Sequence, residues 1–227
     1  MQSNTVQTPN IFNDPDDRMS WSKLLSLQWT GDFKISPDPN ETRTREYIVS
    51  TDPNLIPMKT LMEAFDQEFF YWGKALPEED MRLMVHSSLC FGLYIRNVDI
   101  RDRRSSGESM AHGTKDPEVS LIGFARLVTD CVTVGYLTDF YVLPRYQGTG
   151  LGTWLLKCIQ EIADQWPYLR RIMFFTNSER SKLYYERVLG ALALAKDGET
   201  YFMERPGPAR PTPLPSQQVA PGLEQAQ

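Results

Sequence analysis

The chain has 227 residues, 41% hydrophobic and 23% charged, with a formal net charge of −5. Those values suit a soluble globular protein and argue against general nucleic-acid binding, and no apolar run approaches the ~18 residues that a membrane span needs. Cys90, Cys131 and Cys158 are odd in number, widely spaced and set among apolar neighbours, so they read as reduced core thiols of a cytoplasmic or nuclear protein, not as a disulfide frame or metal site.

The opening MQSNTVQTPN has neither the basic nor the apolar region of a secretory signal. Residues 1–44, with Asp14, Asp16, Asp17, Pro37 and Pro39, are weakly patterned and are expected to be an extension outside the domain. Arg45–Ser50 reads as a short strand, closed by the turn signal Asp52-Pro53-Asn54. Met58, Leu61, Met62, Phe65, Phe69 and Trp72 recur at helical spacing, which predicts an amphipathic helix over 57–72. Gly73 ends it, and Pro77-Glu78-Glu79 opens a second helix with proline and acids in its first turn. Cys90–Arg96 is a strand. Residues 97–117 are polar and rich in small side chains, and predict a long flexible loop of the kind that is disordered or functional.

Val119–Thr129 and Val132–Val142 predict a hairpin turning near Asp130. After Pro144 and a glycine-rich stretch, Leu151, Trp154, Leu155, Cys158, Ile159, Ile162 and Trp166 share one helical stripe that Pro167 stops. Arg171–Thr176 is a strand, Ser178–Leu189 a helix, and Ala191–Ala195 with Thr200–Glu204 a closing hairpin around Asp197-Gly198. The span 45–205 is long enough for one core and not for two. Its order, β-α-α-β-β-β-α-β-α-β-β, specifies an α+β domain with a central mixed, mostly antiparallel sheet flanked by helices. Residues 206–227 hold six prolines, two charges and no aromatic residue. They predict a disordered tail, the alternative being a ligand for a proline-recognising domain.

The chemistry is concentrated in Tyr136–Thr153, YLTDFYVLPRYQGTGLGT: a strand, a proline, a glycine loop and a helix. Glycines allow close backbone approach, and the first helical turn leaves N–H groups without intrahelical partners, which suits a phosphate or pyrophosphate. Arg145, Arg180, Lys182 and Arg187 add positive charge nearby in sequence. A P-loop is excluded because no Lys-Ser or Lys-Thr follows these glycines. The dinucleotide fingerprint fails because Thr153 stands at its last glycine and Thr176-Asn177, with no acid, ends the next strand. The pattern that fits is Gln/Arg-x-x-Gly-x-Gly/Ala, on Gln147, Gly150 and Gly152.

With Phe140-Tyr141-Val142-x-Pro144-x-x-Gln147-Gly148-x-Gly150-Leu151-Gly152, the chain resembles the GNAT-type N-acetyltransferase superfamily over most of residues 45–205. That resemblance implies direct transfer of the acetyl group of acetyl-CoA to a primary amine of a small molecule or peptide, without a metal, by a monomer or homodimer. It implies that the backbone of Phe140, Tyr141 and Val142 binds the pantetheine arm where two parallel strands splay apart. The amides of Gln147, Gly148, Thr149, Gly150, Leu151, Gly152 and Thr153 would hold the pyrophosphate, and Asn177 would meet the cofactor; by its position alone Asn177 equally suits a helix cap.

The family often supplies a general acid as a tyrosine on the helix after that asparagine. Counting forward from Asn177 lands on Tyr184, whereas counting back from Gly190 comes closer to Tyr185, and the sequence leaves both open. Asp139 stands where members sometimes carry an acid; it could relay a proton through water or serve as a plain hydrogen-bond partner. Glu68 and His86 are further options for a base, although a lone histidine such as His86 is more often structural; most of Phe69, Phe70, Tyr71 and Trp72 are expected to be core, with one or two left to line the acceptor pocket. The alternative to an enzyme is a GNAT-fold module that binds CoA, or a protein partner, without turnover.

Overall fold

The computed structural model describes residues 20–33, 45–96 and 119–211. The elements run α1 (Trp21–Leu24), β1 (Gln28–Phe33), β2 (Arg45–Ser50), α2 (Met58–Phe65), α3 (Glu78–His86), β3 (Leu89–Arg96), β4 (Val119–Thr129) and β5 (Val134–Val142), then α4 (Leu151–Asp164), β6 (Arg171–Thr176), α5 (Glu179–Leu189), β7 (Leu192–Asp197) and β8 (Thr200–Pro206). One eight-stranded sheet has the order β1-β2-β3-β4-β5-β6-β8-β7. Its pairs are antiparallel except β5 with β6. This is the α+β domain with a mixed, mostly antiparallel sheet that the element order predicts.

Two helical layers cover the sheet. On one face α4 packs Leu151, Trp154, Leu155, Cys158, Ile159 and Ile162 against Leu127, Leu137, Ile172, Phe174 and Met203, with α5 joining through Leu189. On the other, α2 and α3 set Leu61, Phe65, Met81 and Val85 on Ile48, Cys90, Tyr94 and Phe124. No helix among the described residues is long and apolar enough to cross a membrane.

Two expectations change. Residues 20–33, expected to lie in a weakly patterned extension, instead supply α1 and the edge strand β1. β1 pairs with all of β2, and Trp29, fully buried, donates from Nε1 to Glu161 Oε2 of α4 at 2.7 Å. Gly31 obscures that strand by propensity, yet a Cβ there would meet the Phe33 ring at 2.9 Å and Trp154 at 3.3 Å. The helix expected over 57–72 stops at Phe65. Beyond it the Phe70 amide donates to the Gln67 carbonyl at 3.0 Å, turning the chain so that Phe70 stacks back on Phe65 at 4.0 Å between centroids. Phe69 and Trp72 therefore leave the helical stripe.

Strand β8 runs two residues past the predicted hairpin, to Pro206. After it the Gly207 amide donates to the Arg170 carbonyl and the Ala209 amide to that of Leu169, each at 2.9 Å. The predicted loop over 97–117 and the tail beyond residue 211 lie outside the described residues.

Candidate active site

The site begins with a break in strand pairing. β5 and β6 are hydrogen-bonded only over Val134–Arg171, Gly135–Ile172 and Tyr136–Met173. Beyond Tyr136 the two strands separate, so the β5 backbone from Leu137 to Val142 has no strand on its β6 side.

A bulge in β5 accompanies the separation. Phe124 faces Tyr141 and Arg126 faces Thr138, leaving Asp139 and Phe140 together opposite Ala125. Asp139 takes a φ of +51°, left-handed backbone that Asp tolerates better than most residues. An extra residue bends its strand and re-aims the neighbouring side chains. Arg126 Nε donates to Asp139 Oδ2 at 2.6 Å and Thr138 Oγ1 to Oδ1 at 3.3 Å, so both carboxylate oxygens are engaged.

The wedge between β5 and β6 is a cavity of about 580 Å³, lined by residues 136–141 of β5, 174–177 at the end of β6, Tyr184 and Tyr185 of α5, and Phe69, Tyr71 and Trp72 from the turn after α2. That volume lies within the ~300–1,000 Å³ usual for small-molecule sites. The cleft passes through the sheet. Phe140, Tyr184 and Tyr185 pack with the α4–α5 layer, whereas Phe69 and Tyr141 pack with the α2–α3 layer.

At the α4 end, Gly148 and Gly150 hold φ values of +75° and +89°, with nothing within 4 Å of where a Cβ would stand. Gly150 is the N-cap of α4 and provides no side-chain cap. Among the described residues the amides of residues 148–153 have no hydrogen-bond partner, and they stand at the positive end of a 14-residue helix. The Gln147 amide differs, because it donates to the Pro144 carbonyl at 3.1 Å. Its side chain donates to the Val142 carbonyl at 2.9 Å, pinning the loop to the end of β5.

Of the four basic residues near the motif, Arg145 stacks on Tyr146 at 5.0 Å and Arg187 on Tyr184 at 6.0 Å. Lys182 is taken up by Glu179 at 2.9 Å and Glu186 at 3.3 Å.

The structure separates the two tyrosines. The Tyr184 hydroxyl lies 3.3 Å from Thr153 Oγ1 and 3.5 Å from the Cβ position of Gly152, against the first turn of α4. The Tyr185 ring is wedged between Phe174 at 4.7 Å and Phe140 at 6.2 Å. Burial pushes both phenols above their usual value of 10; Thr153 and Arg187 pull Tyr184 back, while Tyr184 and Tyr71 push Tyr185 further.

Asn177 lines the cavity, and its carboxamide makes no hydrogen bond among the described residues. The cap of α5 is Ser178, which accepts from the Ser181 amide at 3.1 Å, so Asn177 is not needed there. Glu68 and His86 are exposed and do not line the cavity. Sequence reasoning missed Tyr136, Phe174 and Phe175, which complete the walls. Their signal was alternation on β5 and β6, which shows which residues share a face but not that the strands part.

Comparison with known proteins yields a consistent group. The model of the acetyltransferase (GNAT) family matches residues 59–191. A Gibberella zeae protein, provisionally named an acetyltransferase, is 37% identical over 147 residues, covering 65% of this chain and 80% of that protein. A Xanthomonas campestris pv. campestris crystal structure, described as GNAT, is 26% identical, with 62% and 82% coverage and a TM-score of 0.44. A domain from Methanocaldococcus jannaschii DSM 2661 is 9% identical, covers 70% of this chain and 97% of its own, and has a TM-score of 0.50, a likeness of fold alone.

Proposed function

The chain belongs to the acetyltransferase (GNAT) family, whose members use acetyl-CoA and bind an amine acceptor, and on that footing we propose that it moves an acetyl group onto a primary amine in the cleft between β5 and β6. The observation that carries this reading is the unpaired β5 edge leading to a glycine loop whose amides are free. A pantetheine arm is a chain of amides that such an edge can bind as it would a strand, and a pyrophosphate suits the loop. Acetyl-CoA, when bound, supplies a thioester whose carbonyl carbon is open to attack.

The protein's own residues do the rest. The free β5 edge around Phe140–Val142 binds the arm, the amides of residues 148–153 hold the phosphates, and the free carboxamide of Asn177 meets the arm from the β6 side. As the amine nitrogen bonds to the acetyl carbon, the carbon–sulfur bond breaks. Tyr184 then gives its hydroxyl proton to the departing sulfur. It is chosen over Tyr185 because its hydroxyl lies on the glycine-loop wall, whereas Tyr185 fills the space between Phe140 and Phe174. Both Asp139 oxygens are already held, so Asp139 keeps the bulge in place and the amine loses its proton to water at the mouth.

Parallel calorimetric titrations with acetyl-CoA, CoA and NAD, on the wild-type chain and on Gly150→Glu, test this reading. Micromolar acetyl-CoA binding is expected, with no response to NAD. In the folded variant it should fall about 100-fold or more, because a side chain and a negative charge enter a cradle built for an anion. Unchanged affinity would remove the cofactor assignment. Acetyl-CoA binding with no thiol release toward any amine would favour the binding-only alternative.

A further inference from the structure

The half of the cleft away from α4 and α5 is walled by aromatic rings with little charge. Tyr71 is 65% exposed and Trp72 42% on one wall, and Phe175 is 57% and Tyr136 36% exposed on the other. Trp72 lies 4.3 Å from Phe70 and 5.1 Å from Tyr71, while Phe175 sits between Tyr136 at 6.3 Å and Phe202 at 5.2 Å. Large rings left facing solvent on opposite sides of one opening do little for the fold and much for an apolar guest. Among the described residues that line the cavity, Asp139 is the only one of Asp, Glu, Lys, Arg or His, and Arg126 already neutralises it. In the smaller pocket beyond Asn177, Glu179 is bonded to Lys182 and to the Tyr201 hydroxyl, and Lys196 stands beside Glu199.

We infer that the acceptor is a small monoamine carried on an aromatic or bulky apolar body, as in 2-arylethylamines. The inference rests on the acetyl-transfer reading of the cleft and adds the acceptor's chemistry. An aryl body gains ring contacts on both walls. Its single ammonium group is attracted by ring faces at the mouth and then loses its proton in an apolar surrounding that disfavours the cation. A polyamine or a lysine-rich peptide brings further cations, which would be stripped of water with no free carboxylate among the described residues that line the cavity. The transfer balances as for any amine: one carbon–nitrogen bond forms, one carbon–sulfur bond breaks, and the products are the N-acetyl amine and the free thiol.

The test measures thiol release by the full chain at saturating acetyl-CoA with 2-phenylethylamine, spermidine, a lysine-rich peptide and a peptide with an N-terminal Met-Leu. We expect kcat/KM for 2-phenylethylamine to exceed that for spermidine and for either peptide by roughly 100-fold, the scale on which an apolar pocket and an uncompensated charge discriminate. Phe175→Ser, and independently Tyr71→Ala on the other wall, should each raise KM for 2-phenylethylamine about tenfold while acetyl-CoA affinity stays within about twofold. Faster turnover of spermidine or of either peptide would overturn the inference and leave the acetyltransferase reading standing, whereas acetyl-CoA binding with no turnover of any of the four would overturn the inference and favour the binding-only alternative. Failure to bind acetyl-CoA in the same calorimeter would instead remove the reading beneath it.

Discussion

Adjacent tyrosines on a helix point about 100° apart, so Tyr184 and Tyr185 cannot do the same work. Spacing left them equivalent because the helix between Asn177 and Gly190 is longer than the family pattern, and sequence alone does not say where the extra length lies. The Tyr184 hydroxyl against Thr153 distinguishes them. Tyr184→Phe should lower kcat by about 100-fold or more with acetyl-CoA affinity nearly intact, and Tyr185→Phe by less than about tenfold. The reverse ranking in single-turnover assays would transfer the role. The pH profile gives a second check. Burial holds the Tyr184 phenol above its usual 10, outweighing Thr153 and Arg187, so the phenol stays protonated through the neutral range. A raised value means the proton is lost only above 10, so kcat should show no falling limb between pH 7 and pH 10. A limb in that interval that disappears in Tyr184→Phe would contradict the burial argument.

Elements differ in how plainly their ends are written. α4 was legible because Gly150, an apolar stripe and Pro167 mark its start, face and stop. α2 was overread because Phe69 and Trp72 fit its period while serving the turn that follows. The reason lies in Phe70, whose stacking on Phe65 holds the chain in a turn that no local propensity dictates. β1 was missed for the opposite reason: six residues with a glycine in the middle look like loop until Trp154 of a distant helix fills the space beside that glycine. The sheet therefore depends on an element that appears dispensable in sequence. Trp29→Ala should cost about 3–5 kcal/mol in urea unfolding, since it empties a fully buried indole site. It also leaves Glu161 of α4 without its Nε1 donor. A loss below about 1 kcal/mol would show that β1 contributes little to the core.

For the whole molecule, strand order and composition carried the fold class, but the domain boundary depends on contacts far apart in sequence. Ending the domain at residue 205 fits the proline-rich composition that follows, yet Glu204, only 2% exposed, is neutralised from beyond that point. Arg210 Nε reaches Glu204 Oε1 at 3.0 Å, whereas Arg171 stands off at 3.9 Å. The backbone bonds of Gly207 and Ala209 to the segment before β6 bring Arg210 into place. We propose that the folded unit extends at least to Arg210, and two truncations examine this. A chain ending at residue 211 should melt within about 1 °C of the full chain. One ending at residue 205 leaves a buried carboxylate with a distant partner, at a cost of about 2–3 kcal/mol, or roughly 5–10 °C in Tm for a domain of this size. Equal melting temperatures for the two would mean that Arg171 alone satisfies Glu204.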